Sequence, residues 1–192
     1  MDKFNKIKED NLAKIKYDKS SKGSIDEPIL TLVNQINSLP DFFTTSSCSG
    51  RISVIKDGKG ITKQRNAWIF KKHQAITVEE LKSIVLPKER CSLKFETVIL
   101  HIATNSIDNA FKMLKIARDS GWKKSGIISY KKNKIMLECS STEVLAMPFS
   151  KEGRIIANDE ILEEFCNQAN EKLEKAHMKI KKFTKNLQLL TD

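Results

Sequence analysis

Residues 42–55 read FFTTSSCSGRISVI. The ends, Phe42–Thr45 and Ile52–Ile55, have the composition of short β-strands. Between and overlapping them lies TTSSCSGR, Thr44 to Arg51. This run of small polar residues and Cys is too polar for a buried strand and too poor in Gly and Pro for an ordinary linker. Small hydroxyls, a thiol, a Gly and an Arg in one short loop suit a compact cradle for an anion or a cofactor. Gly50 lets a ligand approach the backbone closely. Arg51 offers a planar fork to a carboxylate or phosphate. Ser47, Cys48 and Ser49 supply further polar groups. The competing reading is a Ser/Thr-rich turn after Phe42-Phe43.

Outward from the cradle the chain alternates helices and strands. Residues 1–17 form a charged amphipathic helix with Phe4, Ile7, Leu12 and Ile15 on its apolar face. Ser24-x-x-Glu27 is a capping box, Pro28 suits the first turn, and Ile29, Leu32, Val33 and Ile36 follow at helical spacing until Pro40. A turn at Asp57-Gly58-Lys59-Gly60 leads towards a strand at Ala67–Lys71. Thr77-x-x-Glu80 caps a short helix to about Val85. Leu93 to Ile102 reads as one long central strand. Ser106 opens a helix through Ala110, Phe111, Leu114 and Ala117 that Gly121 closes, and Gly126–Tyr130 with Ile135–Cys139 make a hairpin. Residues 159–190 are helical, and Leu173, Ala176, Ile180, Phe183, Leu187 and Leu190 form a coiled-coil-like seam. The seam calls for a second helix, the N-terminal one first, with a dimer as alternative. The fold class is α+β: a single domain over 1–192, mostly antiparallel sheet, with flanking helices and a long C-terminal helix. A GxGxxG turn does not occur, which argues against a doubly wound nucleotide-binding fold.

Lys and Arg number 34 against 24 Asp and Glu, a formal net charge of +10. That surplus points to an anionic partner, nucleic acid above all, against the plainer reading of a Lys-rich soluble surface. Cys48, Cys91, Cys139 and Cys166 are far apart, which argues against a zinc ribbon or an iron–sulfur cluster, so no metal is expected. With no leader peptide visible and no apolar run near the roughly 20 residues of a membrane span, a reduced cytoplasmic setting is expected, with no membrane partner.

KYDKSSKGSIDEPI (Lys16 to Ile29), TTSSCSGR, DGKG (Asp57 to Gly60), AWIFKKH (Ala67 to His73), LKFETVILHIA (Leu93 to Ala103) and SGWKKSGI (Ser120 to Ile127) occur in this order. Together they resemble the tRNA wybutosine-synthesizing protein 3 family, from about Lys16 to the C-terminus. The resemblance implies an S-adenosyl-L-methionine-dependent methyltransferase. Its substrate would be N4 of the 7-aminocarboxypropyl-demethylwyosine base 3′ of the anticodon in tRNA(Phe). N-methylation asks the protein to align nucleophile and methyl and to remove a ring proton, which needs few reactive side chains.

Asp26, in the shared SIDEPI segment, is a candidate general base or contact for the cofactor amine, and is expected to converge with Ser49. His101, inside the apolar run ILHIA, is either a hydrogen-bonded core residue or a catalytic group; with Asp26 and Ser49 it completes the catalytic set. Glu96, five residues before His101, points to the other face of a continuous strand. Ser47, Cys48, Ser49, Gly50 and Arg51 are the cofactor-binding set. Lys22, Lys56, Lys59 and Lys63 are candidates for tRNA phosphate, and His73 for a base or phosphate. Trp122, between Gly121 and Lys123, is the candidate stacking platform for the anticodon-loop base, while Trp68 is assigned to the core. The competing function is a non-catalytic basic RNA-binding module for the anticodon loop. A phosphate-handling enzyme built on SCSGR ranks below both, because Arg51 follows Cys48 too closely for a Cys phosphatase loop.

Overall fold

The apolar stretch 93–102 is two strands, Cys91–Glu96 and Ile99–Thr104, and they serve different sheets. Parity explains the break. Cys91, Leu93 and Phe95 are buried at odd positions, whereas Val98, Leu100 and Ile102 are buried at even ones. One straight strand cannot turn both sets to the same face.

The structure, a computed structural model, describes residues 3–16, 25–57 and 67–190. In chain order its elements are α1 (Lys3–Lys16), α2 (Glu27–Ser38), β1 (Phe42–Cys48), β2 (Arg51–Lys56), β3 (Trp68–Lys72), α3 (Val78–Lys82), β4 (Cys91–Glu96), β5 (Ile99–Thr104), α4 (Ile107–Asp119), β6 (Lys124–Lys131), β7 (Lys134–Ser140), β8 (Val144–Lys151), β9 (Arg154–Ile155) and α5 (Asp159–Asn186), followed by a 3₁₀ turn at Leu187–Leu190. The class is α+β, and every described strand pair is antiparallel. Two compact units divide the chain: residues 1–49, 98–142 and 177–192, and residues 50–97 and 143–176.

The first unit holds a four-stranded sheet in the order β1-β5-β7-β6. Helix α1 packs on it through Phe4, whose ring centroid lies 5.4 Å from that of Phe43. Ile7, Leu12 and Met136 close this cluster against Ala103. Helix α2 buries Ile29, Leu32, Val33 and Ile36, the face its spacing predicts. It begins later than the Ser24 box implies, with Asp26 at the N-cap position; Ser24 itself lies outside the described residues. Near its end Asn37 Oδ1 accepts from the Thr44 backbone N–H at 2.7 Å, which ties α2 to β1. Strand β1 runs through Thr44–Cys48 and β2 begins at Arg51, so the expected loop is strand except at Ser49 and Gly50. One side of this strand is open enough to carry hydroxyls, which removes the objection that the run is too polar.

Helix α4 is bounded as its sequence signals say. Ser106 accepts from Asn109 N–H at 3.2 Å at its start. At its end Gly121 (φ +93°) lets the chain reverse, with Gly121 N–H bonded to Arg118 C=O and Trp122 N–H to Ala117 C=O. That reversal throws Trp122 inward. It is fully buried, edge-on to Phe183 of α5 at 5.1 Å, with its Nε1–H donating to Lys179 C=O at 3.3 Å. Phe111, read as part of the buried stripe, is instead 61% exposed, and Met113 and Ile116 take the inward positions.

The second unit holds a five-stranded sheet in the order β3-β2-β4-β8-β9. Helix α3 has the predicted capping box between Thr77 and Glu80. Strands β8 and β9, which the sequence reading left unassigned, join through Glu152 (φ 53°) and Gly153 (φ 76°), the positive-φ pair that a two-residue hairpin favours. The α5 seam is buried within the chain at Leu173, Ala176, Ile180, Phe183 and Leu187, while Leu190 is half-buried. Its partner in the first unit is Trp122 beside α4, where the sequence suggested the N-terminal helix.

Trp122→Ala is expected to destabilise the protein by about 3–5 kcal/mol, the cost of deleting a fully buried aromatic. Trp68→Ala, at a 40% exposed ring, is expected to cost far less. Urea unfolding of the two variants measures the difference.

Candidate functional site

Strand β1 delivers its last residues to the N-terminal end of α2. Asp26 stands at the N-cap position, yet its side chain makes no capping bond to its own helix. Its Oδ2 instead accepts from the Ser49 backbone N–H at 3.0 Å and from Ser49 Oγ at 3.2 Å. Ser49 is fully buried and Asp26 half-buried. The helix dipole favours a negative charge at this position, so the carboxylate serves the loop and the helix end together. Ser47 and Cys48, half-buried, precede it on β1. Gly50 follows with φ +95°, the left-handed backbone that a glycine tolerates. The two residues the sequence proposed to converge, Asp26 and Ser49, are hydrogen-bonded.

Arg51 departs from the expectation. Its Nε donates to Glu96 at 2.6 Å and its Nη2 to the other oxygen at 3.1 Å, a two-pronged pair across adjacent strands. Ser53 Oγ adds a bond to Glu96 at 3.2 Å. The fork reserved for a ligand carboxylate therefore holds the chain's own carboxylate. The guanidinium also lies 4.8 Å over the Trp68 ring, with Lys71 at 5.4 Å. The tryptophans have exchanged roles: Trp68 is the half-open aromatic flanked by cations, and Trp122 is core. A buried, backbone-bonded Trp122 offers no face to a base.

On the first sheet, His101 of β5 lies opposite Ser46 of β1 and Glu138 of β7. Its Nδ1 is 2.6 Å from Ser46 Oγ and its Nε2 is 3.0 Å from Glu138 Oε2. The His101 side chain is 28% exposed. His101 is thus neither a sealed core residue nor alone. Sequence reasoning singled out neither Ser46 nor Glu138 as its partner. Only cross-strand register joins them, and no local spacing announces that.

Among the cysteines, burial pushes the Cys139 thiol up to about 12, so it stays protonated. Lys56 is paired with Glu89 at 3.3 Å, which dilutes its charge as a phosphate contact. His73, half-buried, follows the end of β3. Lys22, Lys59, Lys63 and most of the Asp57–Gly60 turn lie outside the described residues.

Burial of Glu96 works to raise its pKa, but the Arg51 hydrogen bond and charge, with Ser53, outweigh this and hold it below the usual value. A carboxylate with a depressed folded-state pKa adds stability above its unfolded pKa and loses it as pH falls through the folded one. Stability is therefore expected to fall from about pH 5 downward, and Glu96→Gln to flatten that fall while lowering stability at neutral pH. Denaturant midpoints measured across that range check this.

The chain matches the model of the family described as Methyltransferase TYW3 over residues 6–189. It is 35% identical over 178 residues to the human tRNA wybutosine-synthesizing protein 3 homolog, covering 90% of this chain and 68% of that one. It is 33% identical over 175 residues to a Thermococcus sibiricus protein named tRNA(Phe) 7-((3-amino-3-carboxypropyl)-4-demethylwyosine(37)-N(4))-methyltransferase, covering 90% and 89%. Among solved structures, the PH1069 protein from Pyrococcus horikoshii superposes with a TM-score of 0.86 at 29% identity, covering 97% of this chain and 95% of that one. Such whole-length agreement in sequence and fold makes this chain a member of the Methyltransferase TYW3 family.

Proposed function

We propose that this protein methylates N4 of the 7-aminocarboxypropyl-demethylwyosine base of tRNA(Phe) in wybutosine biosynthesis, with S-adenosyl-L-methionine as donor. The observation that carries this reading is the match along nearly the whole chain to relatives named for that reaction. The basic surplus of the chain suits a tRNA partner.

The end of β1 and the start of α2 fit the polar end of the donor. Asp26 supplies a carboxylate for an ammonium, Ser47 a half-buried hydroxyl, and Cys48 a small polarizable contact. Ser49, whose N–H and hydroxyl both go to Asp26, fixes that carboxylate. Arg51 has no part in this set, because Glu96 occupies it. The donor supplies an activated methyl on a positively charged sulfur, so the chain need only hold, align and deprotonate. Trp68, rather than Trp122, is the tryptophan with an exposed ring, and with Lys71 beside it is suited to a stacked base and its phosphate. Lys22, Lys56, Lys59 and Lys63 remain the candidate phosphate contacts, Lys56 weakened by Glu89.

Asp26→Asn keeps an acceptor for Ser49 and removes the charge. It is expected to weaken S-adenosyl-L-methionine binding by about 1.5–3 kcal/mol, the worth of a hydrogen bond to a charged group, with tRNA affinity unchanged. Calorimetry with each ligand measures this. The reaction itself is tested by incubating the protein and donor with tRNA from a strain lacking the enzyme. Mass spectrometry then reads whether the demethylwyosine base gains a methyl group.

A further inference from the structure

We propose that Ser46, His101 and Glu138 form a proton relay that removes the N4 proton as the methyl is transferred; the proposal rests on the function inferred above.

The geometry assigns the direction of each bond. A carboxylate only accepts, so Glu138 Oε2 takes a hydrogen from His101 Nε2. In the neutral ring the second nitrogen, Nδ1, then carries a lone pair and accepts from Ser46 Oγ–H at 2.6 Å. The result is a hydroxyl whose proton is directed at a base, the base oriented by an acid. This order of groups activates a hydroxyl in unrelated folds.

The surroundings suit a relay open to a substrate. Ser46 is exposed, and His101 and Glu138 are half-buried at 28% and 35%. Opposite Glu138 on β6 stands Gly126, where a Cβ would meet nothing within 4 Å. Among the described residues, Phe4, Ile7 and Leu12 of helix α1 pack on the adjacent row, Phe43, Ala103 and Met136. Among the described residues of the sheet, the titratable groups that share the face of His101 beside it are Glu138 from β7 and, two residues along β1 from Ser46, Cys48. The buried residues of α4, which also meets β5, are apolar.

The proton balance closes. The N4–H bond breaks as the N4–CH₃ bond forms. Ser46 Oγ receives the N4 proton while passing its own to His101 Nδ1, so the hydroxyl is regenerated. The positive charge lost at sulfur reappears on the imidazolium, beside the Glu138 carboxylate. Ser46 touches the substrate, His101 is the base, and Glu138 is a positioning residue.

Two measurements test the relay. Nitrogen-15 spectra of the wild-type protein, recorded where the ring is neutral and assigned with a His101→Asn variant, should find His101 protonated at Nε2 and bare at Nδ1. Protonation at Nδ1 instead would overturn the proposal without any assay of activity. In steady-state kinetics, Ser46→Ala and His101→Asn should lower kcat by about 100-fold or more, the usual contribution of general acid–base catalysis, with little change in KM. Glu138→Gln should lower kcat and, in the same spectra, mix the two His101 tautomers, because an amide can either donate to or accept from Nε2. A residue that merely supports the fold would leave the tautomer unchanged. If the wild type methylates the tRNA and Ser46→Ala retains its kcat, the relay is wrong and the function stands. If the wild type does not methylate the tRNA, the function falls and the relay with it.

Discussion

Pairing of β1 with β5 decides what the polar segment becomes. Phe43 lies opposite Ala103 and Thr44 opposite Ile102, but Ser46, not Thr45, lies opposite His101. The extra residue at this bulge shifts the alternation of β1 by one. Before it Phe43 shares a face with Ala103; beyond it Ser46 and Cys48 share that face with His101 and Ile99. Without the bulge Thr45 would meet the histidine and Ser46 would sit on the opposite face. A single unpaired residue thus aligns hydroxyl, imidazole and, through β7, carboxylate.

The same strand carries its next hydroxyl to a different task. Ser49, just past the end of β1, spends its N–H and its Oγ on Asp26. A helix N-terminus would accept that carboxylate as a local cap, but the helix forgoes the bond. A half-buried carboxylate with two donors from one residue is held in a fixed direction. Both features follow from where β1 ends relative to α2, and Asn37, bonded to Thr44, fixes that placement.

Charge and aromatic residues redistribute by the same logic of satisfied partners. Arg51 faces Glu96 directly across β2 and β4, so a charge-assisted pair forms without any ligand. Trp122 follows the reversal at Gly121 and enters the core, while Trp68 on the edge strand β3 stays half-open beneath two cations. Flanking lysines in the sequence made Trp122 look exposed. The helix-ending turn, which sends the next apolar residue back towards the helix, outweighs that neighbourhood.

Local signals in the sequence determined most of the helices, the β6–β7 hairpin and the α+β class. Capping at Thr77 and Ser106, the stop at Gly121 and the apolar spacing of α2 are decided within a few residues of chain. The order of motifs also determined the family, and the convergence of Asp26 with Ser49. Tertiary structure alone decided the rest. Whether residues 91–104 form one strand or two depends on which face each half must bury. Whether Arg51 is available depends on a residue 45 positions away. That His101 meets Ser46 and Glu138, 55 and 37 positions distant, depends on register and one bulge. Long-range pairing turns side chains to one face or the other in steps of two residues, and no local pattern in the sequence fixes that count.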